Sequence, residues 1–408
     1  VMVAKPTITY YFHVFKLLSA GEDLYQSNIV SSGNRGPFDI FNATVYTDTS
    51  EIRKRMGEYG QDAAEIGSGN FLGAFMLNDA AMIHGTIALG ANKHFHSKMR
   101  PFFDGTLSGD GRTWSEAGLS KDIRKILQNK KTIHIRDDLV VCCVQLLFNH
   151  WMGDNMTAEE ARDFATYQNQ RLIVSILPKF ATYFIPGLVN SLREKNQMYV
   201  KRIEQLIVSN HKREVVVEEG EEDHVSRIAW GVLDALTFAG GLGVPTLLHH
   251  CIAVIANGEA KEALVRHPPG SGGYKIDLSK LDILIKETSR LYPAVSEVPY
   301  TRDGKREVLA LGSAFRQHQV WGTDAQAFKL RDSSQYEENL AAFAEFGGPS
   351  RRCPGKDLAL TICREFLKEI DRRGWEVIND ENGKGGERIK NVGYDFPSFS
   401  LSLSDYQP

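Results

Sequence analysis

The sequence predicts a mainly α-helical protein with a small β-rich part, organised as one domain over residues 1–408. Apolar residues recur at the three-to-four-residue spacing of an amphipathic helix in several long segments. These segments cover residues 134–152, 156–176, 180–210, 224–257, 278–291 and 356–374. No Pro-, Ser- or Gln-rich linker and no repeat of fixed period interrupts the chain, which favours one large fold over a string of small domains.

Strand-like alternation of apolar and polar residues is confined to short pieces. The pieces are "DIFNATVYT" at 39–47, "REVLAL" at 306–311 and "YDFPSFSLSL" at 394–403. The predicted sheet content is therefore small.

The composition is that of an ordinary globular chain, with 42% hydrophobic and 24% charged residues. Lys and Arg number 48 against 51 Asp and Glu, so there is no general basic field, and we expect no nucleic-acid partner. The cysteines are odd in number, scattered and without a C-x-x-C pair, which favours a reduced compartment. They are Cys142, Cys143, Cys251, Cys353 and Cys363.

One stretch, residues 228–248, is long enough to cross a bilayer and holds a single charge, Asp234. Its glycines, Pro245 and the paired histidines that follow favour a buried central helix instead. The N-terminus has neither a long apolar run nor a signal-peptide cleavage site. We expect a cytoplasmic protein or one peripheral to a membrane, with the alternative that an anchor upstream of Val1 has been removed.

Cys353 lies between a glycine-rich approach and "KDLALTICREFLKEI", a segment of high helix propensity. An isolated cysteine is usually a core residue, a zinc ligand needs partners at short spacing, and a nucleophile needs a nearby base. No zinc partners stand at such spacing, while Arg351 and Arg352 add positive charge. A thiolate at a helix start is stabilised by backbone N–H groups and the helix dipole, a setting that suits a metal-bound thiolate and a haem iron in particular.

Residues 346–355 resemble the cysteine signature of the cytochrome P450 superfamily. That signature is Phe, two residues, Gly, one residue, a basic residue, one residue, Cys, one residue and Gly. Phe346, Arg351, Cys353 and Gly355 are in register, and Pro349 stands where the signature has glycine. The resemblance implies the P450 fold and a haem b cofactor, with Cys353 as the axial metal ligand and Phe346 and Arg351 as cofactor-binding residues.

Two further segments resemble the same superfamily. "KETSR" places Glu287 and Arg290 three apart on one helix face, as in its Glu-x-x-Arg helix. "VWGTDAQAFKLRD" resembles the stretch in which an aspartate-bearing turn precedes a Phe and an Arg, here Asp324, Phe328 and Arg331. The resemblance implies that Glu287, Arg290 and Arg331 form a buried structural triad.

A third segment, "NKHFHSKMRPFF" at 92–103, resembles the helix that presents an aromatic residue and, four residues on, a basic residue to a haem propionate. His96 and Arg100 have that spacing, and Lys93 is nearby. Two propionates need cationic partners, and Arg302 is a further candidate. A basic surface helix is the alternative interpretation of this segment.

Oxygen-activating members of the superfamily carry an acid followed by an alcohol just after the "AGG" of the central helix, here residues 239–241. The positions that follow, 242–244, hold Leu, Gly and Val, so the usual proton route to oxygen is missing. Thr237 or water replacing the alcohol is the alternative. Thr237 and Gly241 are the candidate catalytic residues of this helix, together with Cys353 in its loop.

Several segments resemble the branch of allene oxide synthases, hydroperoxide lyases and divinyl ether synthases, which lacks the acid and the alcohol. "LTFAGG" at 236–241 matches its central-helix segment, with Thr237 where the branch has Asn, and "CPGKD" at 353–357 is similar to its cysteine loop without the longer insertion common there. "KHFHSK" at 93–98 resembles its Lys-His helix. "FLGAFML" at 71–77 resembles its distal segment, in which Phe71 and Phe75 leave apolar room for an acyl chain.

This resemblance implies a lyase or isomerase that rearranges or cleaves a fatty-acid hydroperoxide, or a similar small hydrophobic substrate, without O₂ or a reductase. The alternative is a conventional monooxygenase that takes O₂ and electrons from a redox partner. A third class is a haem-based or gas-binding sensor. We expect a monomer in each case.

Overall fold

The computed structural model describes the chain in a set of ranges with gaps between them. These are residues 36–40, 43–58, 93–108, 112–135, 137–176, 183–213, 215, 224–266, 274–302, 305–338, 346–348, 352–378 and 399–403. Helices dominate these ranges, which confirms the predicted fold class. The single-domain organisation stays a prediction.

The described part of the chain forms helices in its middle and towards its C-terminus. They are α1 (Thr49–Glu58), α2 (Lys93–Leu107), α3 (Glu116–Leu127), α4 (Asp137–Leu146), α5 (Ala158–Ile176), α6 (Pro186–Asn210), α7 (His224–Asp234), α8 (Val244–Ala256), α9 (Leu281–Leu291), α10 (Leu311–Ala314), α11 (His318–Trp321), α12 (Ser333–Glu338) and α13 (Lys356–Arg373). A π-helical turn, Leu147–Trp151, extends α4, and a longer π-helical segment, Ala235–Gly243, joins α7 to α8. Short 3₁₀ turns lie at Lys261–Ala263 and Leu278–Lys280.

The strands are short and form three small sheets. They are β1 (Phe38–Ile40), β2 (Ala43–Tyr46), β3 (Thr132–His134), β4 (Leu264–Arg266), β5 (Tyr274–Ile276), β6 (Glu297–Arg302), β7 (Lys305–Ala310), β8 (Trp375–Ile378) and β9 (Ser400–Leu403). The largest sheet has the order β1-β2-β7-β6, in which β2 and β7 are parallel and the other pairs antiparallel. The second has the order β3-β9-β8, and β4 pairs with β5.

Most predicted helices begin and end within a few residues of the observed bounds, and the shifts have local causes. The segment predicted from residue 134 begins at Asp137, because His134 pairs with Ser400 in the second sheet. The segment predicted from residue 180 begins at Pro186, which stands in the first turn where a missing N–H costs nothing. The start of α5 is fixed by a capping box, since the Glu160 N–H donates to Thr157 Oγ1 at 3.2 Å.

The long helix His224–Ala256, called the central helix below, consists of α7, the π segment and α8. It is long and apolar enough to span a membrane, but 72% of its most apolar window is buried inside the protein. The helix α6 packs against α7, and both α9 and α13 pack against α8. The apolar run predicted to be a buried central helix is therefore a core helix of this fold.

Candidate active site

Cys353 lies in the short connection that leads into α13. Its backbone N–H donates to the Phe346 carbonyl at 2.7 Å, which closes the loop before the helix begins at Lys356. Within this loop Gly347 adopts a φ of 87°, a left-handed conformation that favours glycine. The glycine-rich approach therefore does what the sequence predicts, since it allows the tight turn that presents Cys353.

The Cys353 thiol differs from the other cysteines in its surroundings. The side chains of Cys142, Cys143, Cys251 and Cys363 are buried, whereas Cys353 is half-buried. Backbone N–H groups of Gly355 and Lys356 donate to the Cys353 sulfur. The four buried thiols are core residues, whereas Cys353 is partly exposed and its sulfur accepts from two backbone N–H groups.

Burial raises the pKa of the Cys353 thiol above its usual value. The two backbone N–H groups and the positive charges of Arg100 and Lys356 act in the opposite direction without cancelling that effect. A thiolate in this position therefore needs a further positive charge, and a metal ion bound to the sulfur supplies one. Among the described residues no group of three or more His, Cys, Asp or Glu could hold a metal ion.

The described parts of the predicted haem environment contact the same loop. The Arg100 side chain lies on α2, where its Nη1 donates to the Arg352 carbonyl at 2.5 Å and its Nε to Asp104 at 2.8 Å. Phe346 packs against the main core, and the Lys356 ammonium lies 5.5 Å from the centre of its ring. Arg100 therefore ties α2 to the cysteine loop.

The remaining predicted cofactor-binding residues stay predictions, and so do the two phenylalanines predicted to leave room for an acyl chain. Lys93 and His96 lie on α2 and Arg302 ends β6, and only their backbone is described. Arg351, Phe71 and Phe75 lie outside the described residues.

The predicted triad forms in full and is confirmed. Glu287 is fully buried, and its carboxylate accepts from Arg290 Nε and Nη2, both at 2.8 Å. Arg331 donates to the same carboxylate, and its Nη2 also lies 3.2 Å from Asp324 Oδ1. Sequence reasoning missed Tyr336, whose hydroxyl donates to Glu287 Oε2 at 2.7 Å.

Thr237 and Gly241 lie in the π segment of the central helix, and both are buried. The Thr237 hydroxyl donates to the Leu233 carbonyl at 2.8 Å and accepts from Arg171 Nη1 at 2.9 Å. The Gly241 carbonyl accepts from Gln168 Nε2 at 2.9 Å. Both residues are thus held by side chains of α5, and the predicted contact of Thr237 with a peroxide stays a prediction.

Sequence reasoning also missed the partners of these residues on α5. Arg171 is fully buried, and its Nη2 lies 2.5 Å from Asp234 Oδ1. The sequence singled out Asp234 as the one charge of an apolar stretch, which is a signal that a buried partner exists. Nothing in the local pattern says that the partner is Arg171, 63 residues earlier.

This mainly helical architecture with small sheets recurs in solved structures. Solved structures of cytochromes P450 match the chain almost end to end. CalO2 is 15% identical with a TM-score of 0.68 and covers 96% of this chain and 97% of its own. P450BioI, solved with an acyl carrier protein ligated to hexadec-9Z-enoic acid, is 12% identical with a TM-score of 0.66 over 95% and 100%. CYP164A2 of Mycobacterium smegmatis, in a ligand-free state, is 14% identical with a TM-score of 0.64 over 96% and 100%.

The chain therefore has the cytochrome P450 fold. No family model matches the sequence. Among curated proteins, dimethylnonatriene synthase of Arabidopsis thaliana is 24% identical over 206 residues, a match that covers 44% of this chain and 37% of that protein. The chain thus matches little more than a third of that relative's length.

The residues present fit a haem with a cysteine axial ligand. The Cys353 sulfur accepts from two backbone N–H groups, the residue is partly exposed, and a nearby positive charge would favour the thiolate. Cys353 would hold a haem b through its sulfur, and the haem would supply the iron chemistry. This cofactor is the one that the P450 neighbours imply.

Proposed function

We propose that this protein is a haem-thiolate enzyme that rearranges or cleaves a hydroperoxide of an unsaturated fatty acid, acting without O₂ or a reductase. The observation that carries the proposal is the chemistry of the central helix after Gly241. Positions 242–244 hold Leu, Gly and Val, and the nearest hydroxyl before them, on Thr237, is engaged by Arg171 and by the Leu233 carbonyl.

Positions 242–244 of this helix offer no acid or hydroxyl for the protons that O₂ reduction consumes. A hydroperoxide avoids this requirement, because its O–O bond already carries two oxidising equivalents. Cleavage of that bond followed by rearrangement within the same substrate redistributes atoms already present, so no electron from outside is needed. When bound, the haem supplies the chemistry of O–O cleavage, and the protein supplies a thiolate ligand and an apolar surrounding.

The described residues support each of these tasks. Cys353 would bind the iron, and the amides of Gly355 and Lys356 would stabilise the thiolate charge. Arg100 would hold the loop against α2, with Lys93, His96, Arg302 and Arg351 as further candidates for the propionates. Leu242 and Phe238 are apolar residues of the π segment that pack against the core and favour a small hydrophobic substrate there.

A conventional monooxygenase is the second candidate. The structures that share this fold are P450 proteins, and a monooxygenase would need a redox partner and a water-mediated proton route past residues 242–244. The two candidates differ in whether turnover needs electrons from outside.

The experiment is an anaerobic mixing of the ferric holoenzyme with a polyunsaturated fatty-acid hydroperoxide, without reductant. We expect rapid loss of the hydroperoxide and a rearranged or cleaved product identified by mass spectrometry, at a rate well above that of free haem at equal concentration. Cys353→Ser, which keeps the size of the side chain and removes the thiolate, is the matched control and should fall towards the free-haem rate.

Turnover that requires O₂, a reductase and reductant would instead sink the proposal and favour the monooxygenase. A third arm adds a second hydrophobic substrate together with a simple alkyl hydroperoxide. Hydroxylation of that second substrate, without rearrangement of the fatty-acid hydroperoxide, would show a peroxygenase and would also contradict the proposed rearrangement.

A further inference from the structure

Two buried polar side chains of α5 face the π segment of the central helix. Gln168 and Arg171 stand three residues apart on α5 and therefore lie on one face of that helix. Gln168 is 1% exposed and Arg171 0%. Buried polar side chains of this kind need partners, and both find them on the central helix.

The contacts follow one face of the central helix. Arg171 bonds to Asp234 and Thr237, and Gln168 bonds to the Gly241 carbonyl. The spacing from 234 to 237 and then to 241 brings three successive turns against α5.

The segment between these contacts is π-helical over Ala235–Gly243. A π register is less stable than an α register and persists where other contacts hold it. Here the Gln168 amide holds the Gly241 carbonyl from one side, while Arg171 and the Thr237 hydroxyl hold the start of the segment.

Gly241 is required for this arrangement because of space. A Cβ at position 241 would lie 2.3 Å from the Leu236 carbonyl oxygen and 2.4 Å from Gln168 Oε1. A side chain at this position would therefore displace the Gln168 amide or the backbone. Gly241, a candidate residue from the sequence, is therefore in direct contact with Gln168, which the sequence did not identify.

We propose that Gln168 and Arg171 are positioning residues, which hold the Ala235–Gly243 segment in its π register and so fix the positions of the candidate catalytic residues Thr237 and Gly241. The effect on the site rests on the proposed function and its haem, whereas the hold on the helix register does not. In this chain the polar side chains that hold the segment come from a neighbouring helix, as Gln168 and Arg171 of α5.

The test uses two pairs of variants of the ferric holoenzyme. Gln168→Leu removes the bond to Gly241, and Gln170→Leu makes the same change on α5 at a half-buried position. Thr237→Val removes the hydroxyl that Arg171 contacts, and Thr246→Val makes the same change at an equally buried position further along the central helix.

The first readout is amide hydrogen exchange of peptides that cover residues 233–244. We expect exchange to rise about tenfold or more in Gln168→Leu and in Thr237→Val, and to stay within about twofold of wild type in the two controls. The second readout is the affinity of imidazole for the ferric haem, which should change by about threefold or more only in the first two variants.

Two results would overturn the positioning role. The first is amide exchange in residues 233–244 of Gln168→Leu and Thr237→Val that matches exchange in the two control variants. The second is a rise in exchange spread evenly over all helices, which is expected if these side chains only stabilise the fold as a whole. If the wild type does not consume hydroperoxide, the proposed function fails, while the exchange data still decide whether α5 holds the π segment.

Discussion

Replacing Glu287 by Gln removes the negative charge of the buried triad and keeps the size of the side chain. In the wild type the carboxylate is fully buried and accepts from Arg290, Arg331, Tyr336 and the Lys329 backbone N–H. The guanidinium of Arg290 is itself fully buried and that of Arg331 is 4% exposed, so neither can turn to water.

The expected cost follows from these contacts. Breaking a buried ion pair by removing one partner costs about 3–5 kcal/mol, because the remaining charge stays buried and uncompensated. Native proteins have a total stability of about 5–15 kcal/mol, so Glu287→Gln should remove a large share of it. We expect the free energy of unfolding to fall by about 3–5 kcal/mol, measured by urea unfolding of the holoenzyme with helical circular dichroism and haem absorbance as probes.

Asp282→Asn is the matched control. Asp282 pairs with Arg364 at 2.8 Å, but its side chain is 64% exposed, so its loss should cost less than about 1 kcal/mol. A Glu287→Gln variant whose free energy of unfolding lies within about 1 kcal/mol of the wild-type value would contradict the view that loss of the carboxylate leaves two buried, uncompensated positive charges.

Two further outcomes are expected. Burial lowers the pKa of His249 to about 3 and that of His250 to about 4. In the unfolded chain each histidine has its ordinary pKa of about 6.5, so below that pH the unfolded state binds more protons than the folded state. The free energy of unfolding should therefore fall as the pH drops from about 6.5 towards 4, and at pH 5 each histidine should account for about 2 kcal/mol of this fall. His249→Phe should reduce the difference between the free energies of unfolding at pH 7 and at pH 5 by about 2 kcal/mol, and an unchanged difference would speak against this account. Gly241→Ala should lower the melting temperature sharply, because its methyl group would meet the Leu236 carbonyl at 2.3 Å, whereas Gly243→Ala, with no atom within 4 Å, should be neutral or stabilising; equal effects would show that the Gly241 contact is not tight.

The sequence predicted those features whose determinants are close together in the chain. Helical periodicity placed α5, α9 and α13 to within a few residues, and the Glu287–Arg290 spacing identified two members of the triad on one helix face. Turn chemistry at Gly347 likewise predicted the loop that presents Cys353.

Features set by distant segments were not predictable in this way. The strand β6 contains Pro299, which weakens a strand pattern, and it forms only because it lies at the edge of its sheet and pairs with β7. Gln168 and Arg171 look like ordinary polar residues of an amphipathic helix. Their role appears only when packing brings α5 against the central helix, where each finds a buried partner.

The assignment of Cys353 as the iron ligand is tested by a carbon monoxide difference spectrum of the reduced protein. Wild type should show the thiolate-type Soret shift, and so should Cys363→Ala, which removes a buried thiol two turns into α13. Cys353→Ser should lose that shift while it still binds haem. A Cys353→Ser protein that keeps the thiolate-type band would contradict the ligand assignment and the haem-thiolate chemistry built on it.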